Sequence, residues 1–95
     1  MNVFQHRCLE RVSEALSDSG IDIAFASVQG KTEEYLHGVF VLENVSFKIY
    51  IYSDELGLME KSRDWRIWER ADFSGPDELL GDFLANLGNL TGNRH

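Results

Sequence analysis

Cysteine, proline and basic residues are the scarce types in this chain of 95 residues: one Cys, one Pro, and nine Lys and Arg against sixteen Asp and Glu. A lone cysteine, Cys8, excludes an internal disulfide and suits a reducing cytoplasm. No apolar run approaches the ~18 residues that a membrane span needs. The opening "MNVFQHRCLERV" puts charges where a signal peptide needs an unbroken apolar stretch. A cytoplasmic protein without membrane contact is the expectation. The shortage of cations leaves a formal net charge of −7. That charge opposes direct binding to nucleic acid or anionic lipid, and it favours solubility and a cationic partner.

Reactive chemistry is equally thin. His6, His37 and His95 are scattered, and no CxxC, HxxxH, GxxxxGK or GxSxG pattern occurs. Zinc, phosphate-loop and hydrolase readings therefore have no anchor, and "SDELGLME" lacks the alternating oxygen ligands of a calcium loop. No catalytic residue, metal site or cofactor is expected, and the chain reads as a non-enzyme. What is present is a core: hydrophobic residues make up 43% and aromatics 12%. At this length that composition gives one folded domain over residues 1–95.

Periodicity assigns the elements. In "VFQHRCLERVSEALSDSG" the apolar positions Phe4, Cys8, Leu9, Val12, Ala15 and Leu16 have helical spacing, with Gly20 as the stop. Arg7 with Glu10 and Arg11 with Glu14 would pair along its exposed face. "IDIAFASV" alternates, "EYLHGVFVL" is apolar enough for a central strand, and "VSFKIYIY" alternates cleanly. In this last run Val45, Phe47, Ile49 and Ile51 share one face, and Ser46, Lys48, Tyr50 and Tyr52 the other. Glu43-Asn44 is a hairpin turn and "SDELG" reads as the next turn. "DWRIWER" is the fourth strand and "SGPDELLGDFLANLGNL" the second helix, with Pro76 early and Asp77 and Glu78 at its positive end. The fold class expected is α+β in the order α-β-β-β-β-α, an antiparallel four-stranded meander with both helices packed on one face.

In the fourth strand the two tryptophans lie on opposite faces. Separation of polar from apolar positions puts Trp65 and Ile67 on one face and Arg66, Trp68 and Arg70 on the other. Pairing that second set with Lys48, Tyr50 and Tyr52 predicts an open patch of aromatics and cations, the types that concentrate in binding hot spots. Cross-strand aromatic and cation–π pairs would also stabilise such a face with no partner on it. Acidic residues on the flanking turns, Asp54, Glu55, Glu60 and Asp64, would rim the patch, with Asp77, Glu78 and Asp82 near. Charge there would steer a basic surface and aromatics would anchor it. The candidate partner-binding residues are Lys48, Tyr50, Tyr52, Asp54, Glu55, Arg66, Trp68 and Arg70.

The segment "DWRIWERADFSGPDELLGDFLANL", about a quarter of the chain, resembles the carboxy-terminal strand-to-helix half of small bacterial toxin-immunity-type proteins. The resemblance implies a one-to-one inhibitor, often of a basic nuclease toxin, acting by direct protein–protein binding. No residue roles carry over with it. The same size and charge also suit a phage-encoded anti-CRISPR-type inhibitor of a nucleic-acid-binding protein, or a homodimeric secretion-type chaperone. The partner expected is a basic protein, toxin or nucleic-acid-binding, and the chain itself a monomer or homodimer.

Overall fold

The computed structural model describes residues 1–60 and 64–92; His95 lies outside them. Helix α1, Val3–Asp18, opens on a capping box in which Asn2 and Gln5 each accept the other's backbone N–H, at 2.8 and 2.9 Å. Five strands follow: β1 Phe25–Gln29, β2 Glu34–Leu42, β3 Val45–Ile51, β4 Glu55–Glu60 and β5 Asp64–Glu69. A 3-10 turn at Arg70–Asp72 leads into helix α2, Pro76–Gly92. The strands pair antiparallel in chain order, each with its sequence neighbour.

Five strands correct the expected four. The extra one is β4, in the segment "SDELGLME" where the sequence suggested only a turn. Its side chains do alternate by face, with Leu56 and Leu58 inward and Glu55 and Met59 outward, while Gly57 between them is buried under the Trp65 ring. The run is short, carries a glycine at its centre and is flanked by acids, so its alternation is easily lost against the turn signals around it. Two further expectations hold. Glu43 and Asn44 both take positive φ, 50° and 68°, the backbone of a two-residue hairpin. Both helices cover the same face of the sheet, since their stripes join the sheet's inner residues in one cluster.

That cluster is the core. Phe4, Cys8, Val12 and Leu16 come from α1, and Leu79, Leu80, Phe83 and Leu87 from α2. From the sheet come Leu36, Phe40, Phe47, Ile49, Ile51, Leu56, Leu58 and Trp68. Burial pushes the Cys8 thiol up to about 12, against a small opposing pull from Arg7, so it stays protonated and behaves as a small apolar side chain. Buried Gln5 ties α1 to the sheet, donating from Nε2 to the carbonyls of Glu34, at 3.0 Å, and Ile51, at 3.5 Å. Arg7 reaches across to Asp77 of α2 at 2.5 Å in place of the expected pair with Glu10.

Among the described residues, no helix is long and apolar enough to cross a membrane.

Candidate functional site

Register decides which side chains face outward. Trp68 pairs with Leu56, Leu56 with Ile51, and Ile51 with Leu36, a row that lies entirely on the helix-covered side. Trp65 pairs with Met59, Met59 with Lys48, and Lys48 with Val39, a row on the open side. The expected placement of the tryptophans is therefore reversed. Trp68 is 6% exposed, edge-on to Phe83 at 4.9 Å, with its indole N–H donating to Asp82 at 2.8 Å. Trp65 and Ile67 are 40% and 46% exposed.

The other candidates divide in the same way. Lys48, Tyr50 and Tyr52 lie on the open face as expected, all half-buried. Arg66 is on the opposite face, exposed at the sheet edge, and donates to Asn86 of α2 at 2.7 Å. Arg70 has left the strand for the 3-10 turn. An open aromatic patch exists, but Arg66, Trp68 and Arg70 are not part of it. The reason is β5's position as an edge strand: only Trp68 of its six residues is buried, so the charged positions on its inner side escape past the helices and imitate a solvent face.

The patch is larger than the sequence indicated. Tyr50 stacks on His37, with centroids 4.6 Å apart and planes at 16°. Tyr52 stands parallel to Tyr50 at 6.1 Å, Tyr35 lies 5.1 Å from Tyr52, and Trp65 meets Tyr50 edge-on at 5.3 Å. Beyond the rings the face continues into exposed Val39 and Val41. Tyr35 and His37 were legible in principle, since they alternate with buried Leu36 along β2. The apolar residues at Val39 and Val41 masked that alternation by making the run look buried on both faces.

Acidic residues gather at one corner of this face. Glu55 and Glu69 stand directly opposite one another across the β4–β5 pair. Asp54 precedes Glu55, and Glu33 accepts a hydrogen bond from the Ser53 hydroxyl. Burial, then the charges of Asp54, Glu69 and Glu33, raise the Glu55 carboxyl above its ordinary value. Burial, then its neighbours Tyr35 and Tyr50 with Glu55 and Glu33, likewise raise the Tyr52 hydroxyl. No Lys or Arg lies within 4.0 Å of any of these four carboxylates among the described residues. Like charges set directly opposite across a strand pair destabilise a sheet. The expected acidic set is split: Glu60 and Asp64 pair at the other end of the β4–β5 hairpin, Asp77 serves Arg7, and Asp82 serves Trp68. Among the described residues, no group of three His, Cys, Asp or Glu side chains is placed to hold a metal ion.

His37 gives the patch a pH dependence. Its Nε2 is buried without a hydrogen-bond partner, and desolvation, then the Lys48 charge, lower its pKa from 6.5. The folded state thus binds this proton less readily than the unfolded chain. The contribution is full above about pH 6.5, the unfolded value, and is lost as pH falls through the lower folded value. In urea titrations the midpoint should drop between pH 7 and pH 5 by more in the wild type than in His37→Gln. Equal drops would show that His37 does not report this desolvation.

Compared with protein-family models, curated proteins and solved structures, the chain matches none.

Proposed function

We propose that this is a non-catalytic binding protein that holds a basic protein partner on its open sheet face, acting in the bacterial cytoplasm as an immunity-type inhibitor of a toxin. The observation that carries this reading is the aromatic row Tyr35, Tyr50, Tyr52 and Trp65 beside four carboxylates that, among the described residues, have no Lys or Arg within 4.0 Å. Tyr and Trp offer large contact area at low entropic cost and concentrate where binding energy does. An uncompensated acidic corner speeds encounter with a basic surface and rejects an acidic one. A guanidinium or ammonium arriving there gains both a counter-ion and a ring face. Among the described residues Lys48 is the one cation on the face, which does not suit a nucleic-acid phosphate backbone.

The test is capture from the native host followed by a growth assay. Wild-type protein should retain one basic protein, and that protein expressed alone should stop growth until this chain is co-expressed. Tyr52→Ala and Trp65→Ala should each weaken the complex by about 10- to 100-fold while the variants keep their melting temperature within a few degrees. Glu69→Gln should slow association, and more so at low salt. A partner whose affinity is indifferent to all three changes would place its site elsewhere and sink the proposal. So would a chain that sediments as a dimer closed over this face.

A further inference from the structure

On the helical side of the sheet, away from the aromatic face, the first turn of α1, the 3-10 turn and the start of α2 enclose a cleft of about 260 Å³. Val3, Phe4 and Pro76 form its apolar part, and Arg7 and Arg70 supply two guanidiniums. Two details set it apart from ordinary surface. Val3 is 78% exposed, so α1 presents an aliphatic side chain at the cleft where a solvated helix turn would carry a polar one. The second is the state of the two arginines. Arg70 has no carboxylate within 4.0 Å among the described residues, and Arg7 has only Asp77, whose side chain is 77% exposed.

We infer that this cleft is a binding site for a small organic monoanion, a carboxylate carried on an apolar body. Two guanidiniums line the cleft and the Asp77 carboxylate holds one of them, which leaves the Arg70 fork for a single carboxylate. The planar fork of an arginine presents two parallel N–H donors to the two oxygens of a carboxylate. Val3, Phe4 and Pro76 then cover the body of the ligand. A dry cavity of about 150 Å³ accepts benzene, so this cleft has room for a six-membered ring with its carboxylate on a short linker. The inference does not rest on the sheet-face reading: the cleft's five lining residues are not part of the aromatic face, although Arg70 donates its backbone N–H to the carbonyl of Asp54 in the acidic corner at 2.9 Å.

A heteronuclear NMR titration of the full chain with 3-phenylpropionate tests it, with 3-phenylpropan-1-ol and acetate as the uncharged and the tailless probes. Phenylpropionate should give saturable shifts at the amides of Val3, Phe4, Arg7 and Arg70 and leave Tyr50 and Ile67 unmoved. The alcohol and acetate should each bind at least about 10-fold more weakly, the scale of one charge-assisted hydrogen bond or one buried ring. Arg70→Gln should weaken phenylpropionate by about 10-fold or more. Asp77→Asn should do the reverse and tighten it about threefold, by releasing Arg7. Both residues are exposed, and if one variant fails to fold the other still decides. Equal binding of acid and alcohol, an affinity unmoved by either substitution, or shifts spread over the sheet face would each overturn the site.

Discussion

Replacing Trp68 by alanine should cost about 3–5 kcal/mol, and replacing Trp65 less than about 1 kcal/mol, although the two stand three residues apart on one strand. Trp68 seals the β5 side of the core. Its ring meets Phe83 edge-on, its indole N–H reaches Asp82, and it is 6% exposed. Removing it leaves a cavity between β5 and α2 that the backbone of a short edge strand cannot close. Its loss would also free α2 from one of two side-chain hydrogen bonds to β5, the other being Arg66 to Asn86. A domain of this size has on the order of 5–15 kcal/mol of stability to lose, so Trp68→Ala should unfold a substantial fraction of the chain near body temperature. Trp65 is 40% exposed, leans over Gly57 and touches Tyr50 by an edge. It contributes cross-strand contact and little else. Urea melts separate the two, and acrylamide quenching of the single-tryptophan variants gives a second readout: Trp65 quenched, Trp68 protected. A reversed order would return the faces to the arrangement suggested by polarity alone.

That reversal shows where the sequence was legible and where it was not. Helices α1 and α2 carry their stripes at unambiguous spacing, and β3 alternates without exception, so the core positions Phe47, Ile49 and Ile51 could be named from residue types alone. The trouble begins after Ile51. A strand interrupted by Gly57 and bounded by Asp54 and Glu60 has few apolar residues to declare itself. With that strand overlooked, no register connected Trp68 to Leu56 and Ile51, and polarity was the only guide to which side of β5 faced out. On an edge strand polarity misleads. Arg66 sits on the core side of the sheet yet reaches solvent past α2, whereas Ile67 sits on the open side with no layer over it. The acidic corner was legible only in part. Asp54 and Glu55 adjoin a turn in sequence, but Glu33 and Glu69 join them only through tertiary pairing.

The unfavourable features of the chain gather on the open face. Glu55 opposite Glu69, an unpartnered His37 nitrogen, and exposed Val39, Val41 and Ile67 each cost stability in the free protein. All of them fall on one side of the sheet. On the other side of the sheet, a glycine permits tight packing in the core.

Gly38 is the place to measure that packing. It lies on the core side of β2, opposite Phe25 on one neighbour and Ile49 on the other. A Cβ built there would stand 2.8 Å from Ile23 Cδ1 and 2.8 Å from Phe25 Cε1. Those two side chains use the missing Cβ to fold the segment after α1 down onto the sheet and to hold β1 in register. Gly38→Val should therefore cost about 2–3 kcal/mol, the upper part of the range for overpacking a filled core, despite valine's better fit to a strand. Gly57, on the open face, is a control. A Cβ there would meet Trp65 Cη2 at 2.8 Å, but that ring is free to swing into solvent, so Gly57→Ala should cost under about 1 kcal/mol. The mechanism can be isolated by a double-mutant cycle. Trimming Ile23 to valine removes Cδ1, so Gly38→Ala should be less destabilising in Ile23→Val than in wild type, with a coupling of about 0.5–1 kcal/mol. Additive effects would mean that Ile23 does not press on this position, and that Phe25 alone fills the space of the missing Cβ.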